Sequence, residues 1–167
     1  MDALKLLKQD HEKVDDLFDK FEETTERAQK TRRMLADRII HELTIHAAIE
    51  EKVFYPAARR ADEELGDMVL EAFEEHAIVK RLLSELAAMD SGDERFGAKM
   101  KVLSELVRHH VKEEEHDMFP KAKKAFGAER LEELGTRMEE AKGRMQKVEA
   151  GTARRRSNGD ARDSFVQ

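Results

Sequence analysis

Apolar residues recur at every third or fourth position along most of the chain, the period of a helix that buries one face. The first such stripe, over residues 2–29, runs Leu4, Leu7, His11, Val14, Phe18 and Phe21. A second, over 32–61, carries Leu35, Ile39, Leu43, His46, Glu50 and Val53. A third, over 63–89, carries Leu65, Val69, Ala72, His76, Val79, Leu83 and Leu86. The fourth, over 93–126, carries Phe96, Met100, Leu103, Val107, His110, Glu114 and Met118. Ser91-Gly92-Asp93 reads as a turn, with Asp93 as a candidate N-cap, and Gly127 closes the fourth helix. Short connections between long helices make antiparallel neighbours, so the pattern predicts an all-α, up-down-up-down four-helix bundle over residues 1–126. An additional amphipathic C-terminal helix is expected over 127–149. From 150 to 167 the chain turns to Gly, Ser, Asn, Asp and Arg, the composition of a disordered tail.

The stripes are not purely apolar. His11, His46, Glu50, His76, His110 and Glu114 all fall in core register, and no Lys or Arg does. An unpaired buried carboxylate costs several kcal/mol, and two that face each other repel as well. Positive charge or protons must compensate them. Neutral imidazole supplies no charge but is a good ligand for a divalent metal. Residues four apart stack one turn above each other, so each His-x-x-x-Glu pair can reach one point on the bundle axis. Four ring nitrogens and two carboxylates able to bridge suit a pair of iron or manganese ions. The set is too rich in nitrogen for calcium and unlike a closed four-ligand zinc site.

These residues also lie in a repeat. His46, Glu50, Glu51 and Pro56 reappear 64 positions later as His110, Glu114, Glu115 and Pro120. Upstream, Asp10-His11 with Val14 and Leu17 is echoed by Glu75-His76 with Val79 and Leu82. The chain is thus two copies of a helical hairpin, with a metal site expected between them. Glu51 and Glu115, one step off the stripe, are expected behind the ligands or at the surface. His41, His109 and His116 are off register and expected to face solvent. Tyr55 and Phe18, Phe54, Phe73 and Phe119 read as core, Tyr55 near enough to donate a hydrogen bond into the site. Each proline should either end its helix or kink it.

Composition narrows the chemistry. There are no cysteines, which excludes disulfides, thiolate metal sites and iron–sulfur clusters. The net charge of −6 gives no basic bias towards nucleic acid or anionic membrane. Arg154, Arg155 and Arg156 lie near Asp160 and Asp163 and read as a solvated tail. No apolar run approaches the ~20 residues of a membrane span or the core of a signal peptide, so a cytoplasmic protein is the expectation. No nucleophile set, phosphate loop or nucleotide fingerprint is present. The oligomeric state is not written in the pattern.

Taken together, Asp10-His11, His46 to Glu50 with Phe54-Tyr55-Pro56, Glu75-His76, and His110 to Glu114 with Phe119-Pro120 resemble the hemerythrin-like family, also called the HHE cation-binding domain. The resemblance covers about residues 1–126. It implies a four-helix bundle around a non-haem di-iron centre that meets O2 or a related small molecule. It further implies that His11, His46, His76 and His110 are terminal ligands and that Glu50 and Glu114 bridge two iron ions, with manganese the lesser choice. Two positions depart from the oxygen carriers of that family. Lys80 stands where they have a fifth His, and Glu114 follows its His by four residues where they place a carboxylate, usually Asp, at five. Glu51, Glu115 and Asp15 are the candidates to fill the vacant coordination position. Ferritin-like di-iron proteins use Glu-x-x-His, the reverse order at a different spacing.

The function expected from the resemblance is binding or sensing of O2, NO or peroxide at the metal pair. An enzyme that decomposes hydrogen peroxide or handles NO is the alternative, favoured by the missing fifth His. A metal-free helical interaction module is a further alternative.

Overall fold

A computed structural model describes residues 1–163, with side chains as far as Arg154. Its helices are α1 (Ala3–Glu22), α2 (Gln29–Ile49), α3 (Tyr55–Ala61), α4 (Glu63–Ala88), α5 (Phe96–Glu113) and α6 (Phe119–Asp163). Two π-helical turns, Glu50–Phe54 and Glu114–Met118, join α2 to α3 and α5 to α6 without interrupting the rods. Gly127, at φ 70°, breaks α6 in two. The segment ahead of this break completes the fourth rod of the bundle, and the segment after it is the fifth helix. That fifth helix continues to Asp163, into the region expected to be a disordered tail, and residues 164–167 lie outside the described ones.

Three helix boundaries differ from expectation. The first helix stops at Glu22, seven residues before its expected end, and α2 starts at Gln29. Thr24 accounts for the stop: its hydroxyl donates to the Phe21 carbonyl at 2.6 Å and accepts from Arg32 Nε at 2.9 Å. A threonine that bonds the backbone locally competes with helix continuation. The fourth rod begins at Phe96, because the Asp93 carboxylate accepts from the Arg95 N–H and so stabilises a turn before the helix.

The prolines neither stop the helices nor simply kink them. Proline lacks an N–H and clashes with the carbonyl four residues back. Here the turn before each proline widens instead. The Tyr55 N–H donates to the Glu50 carbonyl, and the Phe119 N–H to the Glu114 carbonyl, each five residues back. Such single π turns concentrate at functional sites. These begin at the two core glutamates.

The apolar core is split in two. One half gathers Leu7, Phe54, Tyr55, Leu65, Val69 and Phe119 with Leu131, Leu134 and Met138 of the fifth helix. The other gathers Val14, Phe18, Ile39, Leu43, Leu83, Phe96 and Leu103. Full burial of each large side chain contributes about 1.5–3 kcal/mol relative to exposure. Between the halves lies a polar layer, because each rod interrupts its stripe with His or Glu at the same height.

The fifth helix packs against the start of α1. Gly135 sits so close that a Cβ there would fall 2.0 Å from the Met1 carbonyl oxygen and 2.9 Å from the Ala3 nitrogen. Both obstacles are backbone, so they cannot swing aside. Gly135→Ala is expected to destabilise the fold by about 1–3 kcal/mol. Gly143→Ala, with nothing within 4 Å of the added methyl, is expected to stabilise the same helix by about 0.5–1 kcal/mol. Thermal melts of the two variants check this pair, and equal shifts would show that the crossing is not tight.

Candidate metal centre

All six polar residues of the core stripes meet in the layer between the two apolar halves. His11, His46, His76 and His110 are 4–7% exposed, Glu50 is fully buried and Glu114 is 2% exposed. Nε2 of His11 lies 3.1 Å from Nε2 of His46, and Nε2 of His76 lies 3.1 Å from Nε2 of His110. Glu50 spans the two pairs, with Oε1 3.2 Å from His46 and Oε2 3.3 Å from His76. Glu114 spans them the other way, with Oε2 3.3 Å from His11 and Oε1 3.5 Å from His110. The donors therefore fall into two clusters, His11–His46–Glu50–Glu114 and Glu50–His76–His110, joined through the carboxylates.

This donor set fits a metal pair. An ion with bonds of about 2.1 Å sets neighbouring donors roughly 3.0 Å apart at right angles and 3.4 Å apart at tetrahedral angles, and the spacings above match. Glu50 Oε1 and Glu114 Oε2, both in the first cluster, are buried without a hydrogen-bond partner. Buried carboxylate oxygens are rarely left so, since each costs its full desolvation penalty. A cation among the four first-cluster donors removes that cost.

Each imidazole is held from behind. Nδ1 of His11 donates to Glu115 at 2.8 Å, Nδ1 of His76 to Glu51 at 3.0 Å, and Nδ1 of His110 to Glu75 at 2.6 Å. His46 faces Asp10 at a longer 3.5 Å. A proton fixed on Nδ1 leaves the Nε2 lone pair free to point into the site. Glu51 and Glu115 thus stand behind the histidines, while Asp15 is exposed and pairs with Arg108 at 2.7 Å, away from the site. Lys80 also lies outside the layer and bonds Glu51 at 2.6 Å. Lys142, from the fifth helix, bonds Asp10. His109 and His116 are exposed, and His41 is half-exposed and pairs with Glu149 of the fifth helix at 2.7 Å.

Tyr55 lies where the sequence places it, in the core with its hydroxyl bonded into the site. Its hydroxyl donates to Glu114 Oε1 at 2.6 Å and lies 3.2 Å and 3.3 Å from Nε2 of His76 and His110. Burial, Glu50 and Glu114 together push its pKa well above the usual 10. Residues five apart diverge by roughly 140° on a regular helix. The π turn closes that angle and lets Tyr55 share a face with Glu50. Pro56 was the available signal, because widening the preceding turn is one way a helix accommodates it. The matching residue of the other hairpin, Phe119, has no hydroxyl and stacks on His11 with ring centroids 6.0 Å apart.

A family model for the Hemerythrin HHE cation binding domain matches residues 2–122. The chain belongs to this family. Among solved structures, a Hemerythrin HHE cation binding domain-containing protein from Mycobacterium kansasii superposes with a TM-score of 0.71 at 29% identity. That match covers 86% of this chain and 88% of the other. A DNA nickase from Nostoc sp. is 30% identical over 153 residues, 92% of this chain but 42% of that protein. The chain thus spans less than half the length of this curated relative. Membership in the HHE family makes the chain a hemerythrin-like, cation-binding protein, and the two His/Glu clusters are the groups suited to that role.

Without a metal, protons supply the compensating charge. Burial opposes the charge on His46, but Glu50 and Asp10 outweigh it and raise its pKa from 6.5 to about 10. His110 is similarly opposed by burial and raised by Glu114 and Glu75 to about 11. A raised imidazole pKa means that the folded state binds more protons than the unfolded state between the two values. The stabilisation is therefore full below pH 6.5 and is lost as the pH climbs through about 10 for His46 and about 11 for His110. Thermal melts of metal-free protein should fall across that window, and bound divalent metal should flatten the slope. A flat profile without metal would show that the imidazoles are not charged in the fold.

Proposed function

We propose that the chain binds two iron ions, with His11 and His46 as terminal ligands to one and His76 and His110 to the other. Glu50 and Glu114 bridge the pair, and Tyr55 Oη is a further donor to the second ion, in place of the fifth His of the oxygen carriers. The observation that carries this reading is the pair of glutamates whose oxygens divide between two histidine clusters, with the first-cluster oxygens left unpartnered. Bound iron would supply a redox-active Lewis acid able to take a small oxygen or nitrogen ligand.

The physiological ligand we assign is O2, NO or peroxide, in a cytoplasmic protein that binds or senses it. A cavity of about 30 Å³ lies on the side of the histidines away from the glutamates, lined by Val14, Leu43, Val79, Val107 and Val111 together with the four imidazoles. One water-sized sphere needs roughly 10–15 Å³, so the space suits a molecule of two heavy atoms. Its apolar wall excludes bulk water. Among the described residues no helix is long and apolar enough to cross a membrane.

Peroxide turnover is the second reading, favoured by Tyr55. Its hydroxyl already donates to Glu114, so this residue can hold or pass a proton beside the second ion. Only one half of the centre has this group.

Metal analysis of protein purified without added metal should return about two irons per chain, one for each donor cluster. Glu50→Ala or Glu114→Ala is expected to lose much of it, because each removes a bridge; wild-type iron in both variants would sink the assignment. Tyr55→Phe should keep the iron yet lose any phenolate-to-iron(III) absorption in the visible. An unchanged spectrum would leave Tyr55 as a hydrogen-bond donor only. Peroxide consumed per iron, compared with reversible O2 or NO binding, then divides enzyme from binder.

A further inference from the structure

We infer that Val14, Val107 and Val111 form a gate between a surface groove and the inner cavity, through which small neutral ligands reach the metal centre. The inference rests on the metal-centre reading above and adds a route to it. A groove of about 350 Å³ runs between α1 and α5 and is lined by Phe18 and Lys112 among others. His11, Val14, Val107 and Val111 line this groove and also the inner cavity of about 30 Å³. The wall between solvent and the histidine layer is therefore one side chain thick at these positions. Val14 and Val107 are 3% and 6% exposed and close the passage at rest, while Val111 beside them is partly exposed.

The residue type explains how such a wall behaves. A valine in a helix holds one strongly preferred rotamer, so the wall stays shut on average. It opens when a side chain hops or when α1 and α5 part slightly. That parting is limited by Arg108 of α5, which reaches three α1 carboxylates beside the groove: Asp15 at 2.7 Å, Asp19 at 2.8 Å and Glu22 at 2.7 Å.

Charge at the mouth selects the visitor. The groove is lined by Glu12, Asp15 and Glu115. Its cations are Lys112 and Arg108, the latter already tied to three carboxylates. Anions are disfavoured there, and at the neck His11, already bonded to Glu115, is the one polar side chain shared with the inner cavity. A separate cavity of about 120 Å³ beside His110 is lined by Glu71, Glu75, Glu113, Glu114 and Asp117 and shares only His110 with the inner cavity.

The test is stopped-flow binding of NO to the iron(II)-loaded protein. Val111→Phe should slow association by about tenfold or more, and Val111→Ala should accelerate it severalfold. A gate alters entry and exit together, so Kd and iron content should stay at wild-type values. Both variants binding at the wild-type rate would overturn the gate. Iron-loaded wild-type protein that binds no NO would instead overturn the functional reading beneath it. A second measurement needs no metal: dissolved O2 should relax the methyl groups of the buried Val14 and Val107 in metal-free protein more strongly than those of the fully buried Val69. Equal relaxation at all three would also overturn the proposal.

Discussion

Two carboxylates without a fixed cation, buried at the middle of an apolar bundle, are the constraint on which the rest of this molecule depends. Glu50 and Glu114 are essentially removed from water, and their mutual repulsion raises the cost of keeping both ionised. Four imidazoles converge on them, and a carboxylate stands behind each imidazole. The apolar halves on either side keep water out and give the charges nowhere else to go. A packed all-apolar layer would be simpler and often as stable. The polar layer is therefore better explained by what it can hold than by what it contributes to folding.

The layer is built twice, once per hairpin, and the repeat is imperfect where it matters. Each hairpin contributes a histidine from its first helix and a His-x-x-x-Glu pair from its second. Each then widens the helix into a π turn ahead of proline. The fifth residue after the glutamate is Tyr55 in one copy and Phe119 in the other. Tyrosine brings a hydroxyl within hydrogen-bonding range of Glu114, whereas phenylalanine brings a ring face to His11. Two nearly equivalent clusters therefore differ in a proton and a donor oxygen. That difference sets the two halves apart chemically without disturbing the fold.

Most of the bundle was legible because stripe period and burial are the same fact seen twice. His11, His46, His76 and His110 occupy positions where an apolar residue would otherwise continue the stripe, and all four are buried. What stayed hidden depended on geometry off the regular helix. Tyr55 was read as core and near enough to donate into the site, but what brings its hydroxyl onto the face of Glu50 is the π turn, which no regular spacing shows. The end of the first helix was overestimated because residues 23–29 are polar enough to extend a helical pattern, and only the Thr24 hydroxyl decides otherwise. The carboxylate partners were half legible. Asp10 and Glu75 stood out as neighbours of His11 and His76, yet each supports the histidine of the next helix, His46 and His110. Sequence adjacency puts the pair on one helix, but the roughly 100° step between consecutive residues aims the carboxylate at a neighbour.

The fifth helix changes how the centre is balanced. Lys142 reaches Asp10 behind His46, and Lys80 reaches Glu51 behind His76. Each cluster thus contains one imidazole whose supporting carboxylate is neutralised by lysine and one, His11 or His110, whose carboxylate has no lysine bonded to it among the described residues. A carboxylate that keeps its charge makes the attached imidazole a stronger electron donor, and a neutralised one makes it weaker. The two clusters therefore hold one histidine of each kind, and the balance on the first side depends on a helix that begins beyond the matched family region. In this chain Lys80 stands behind His76 through Glu51. With the lysine turned outward to Glu51, the donor nearest the second cluster is the tyrosine that the π turn delivers.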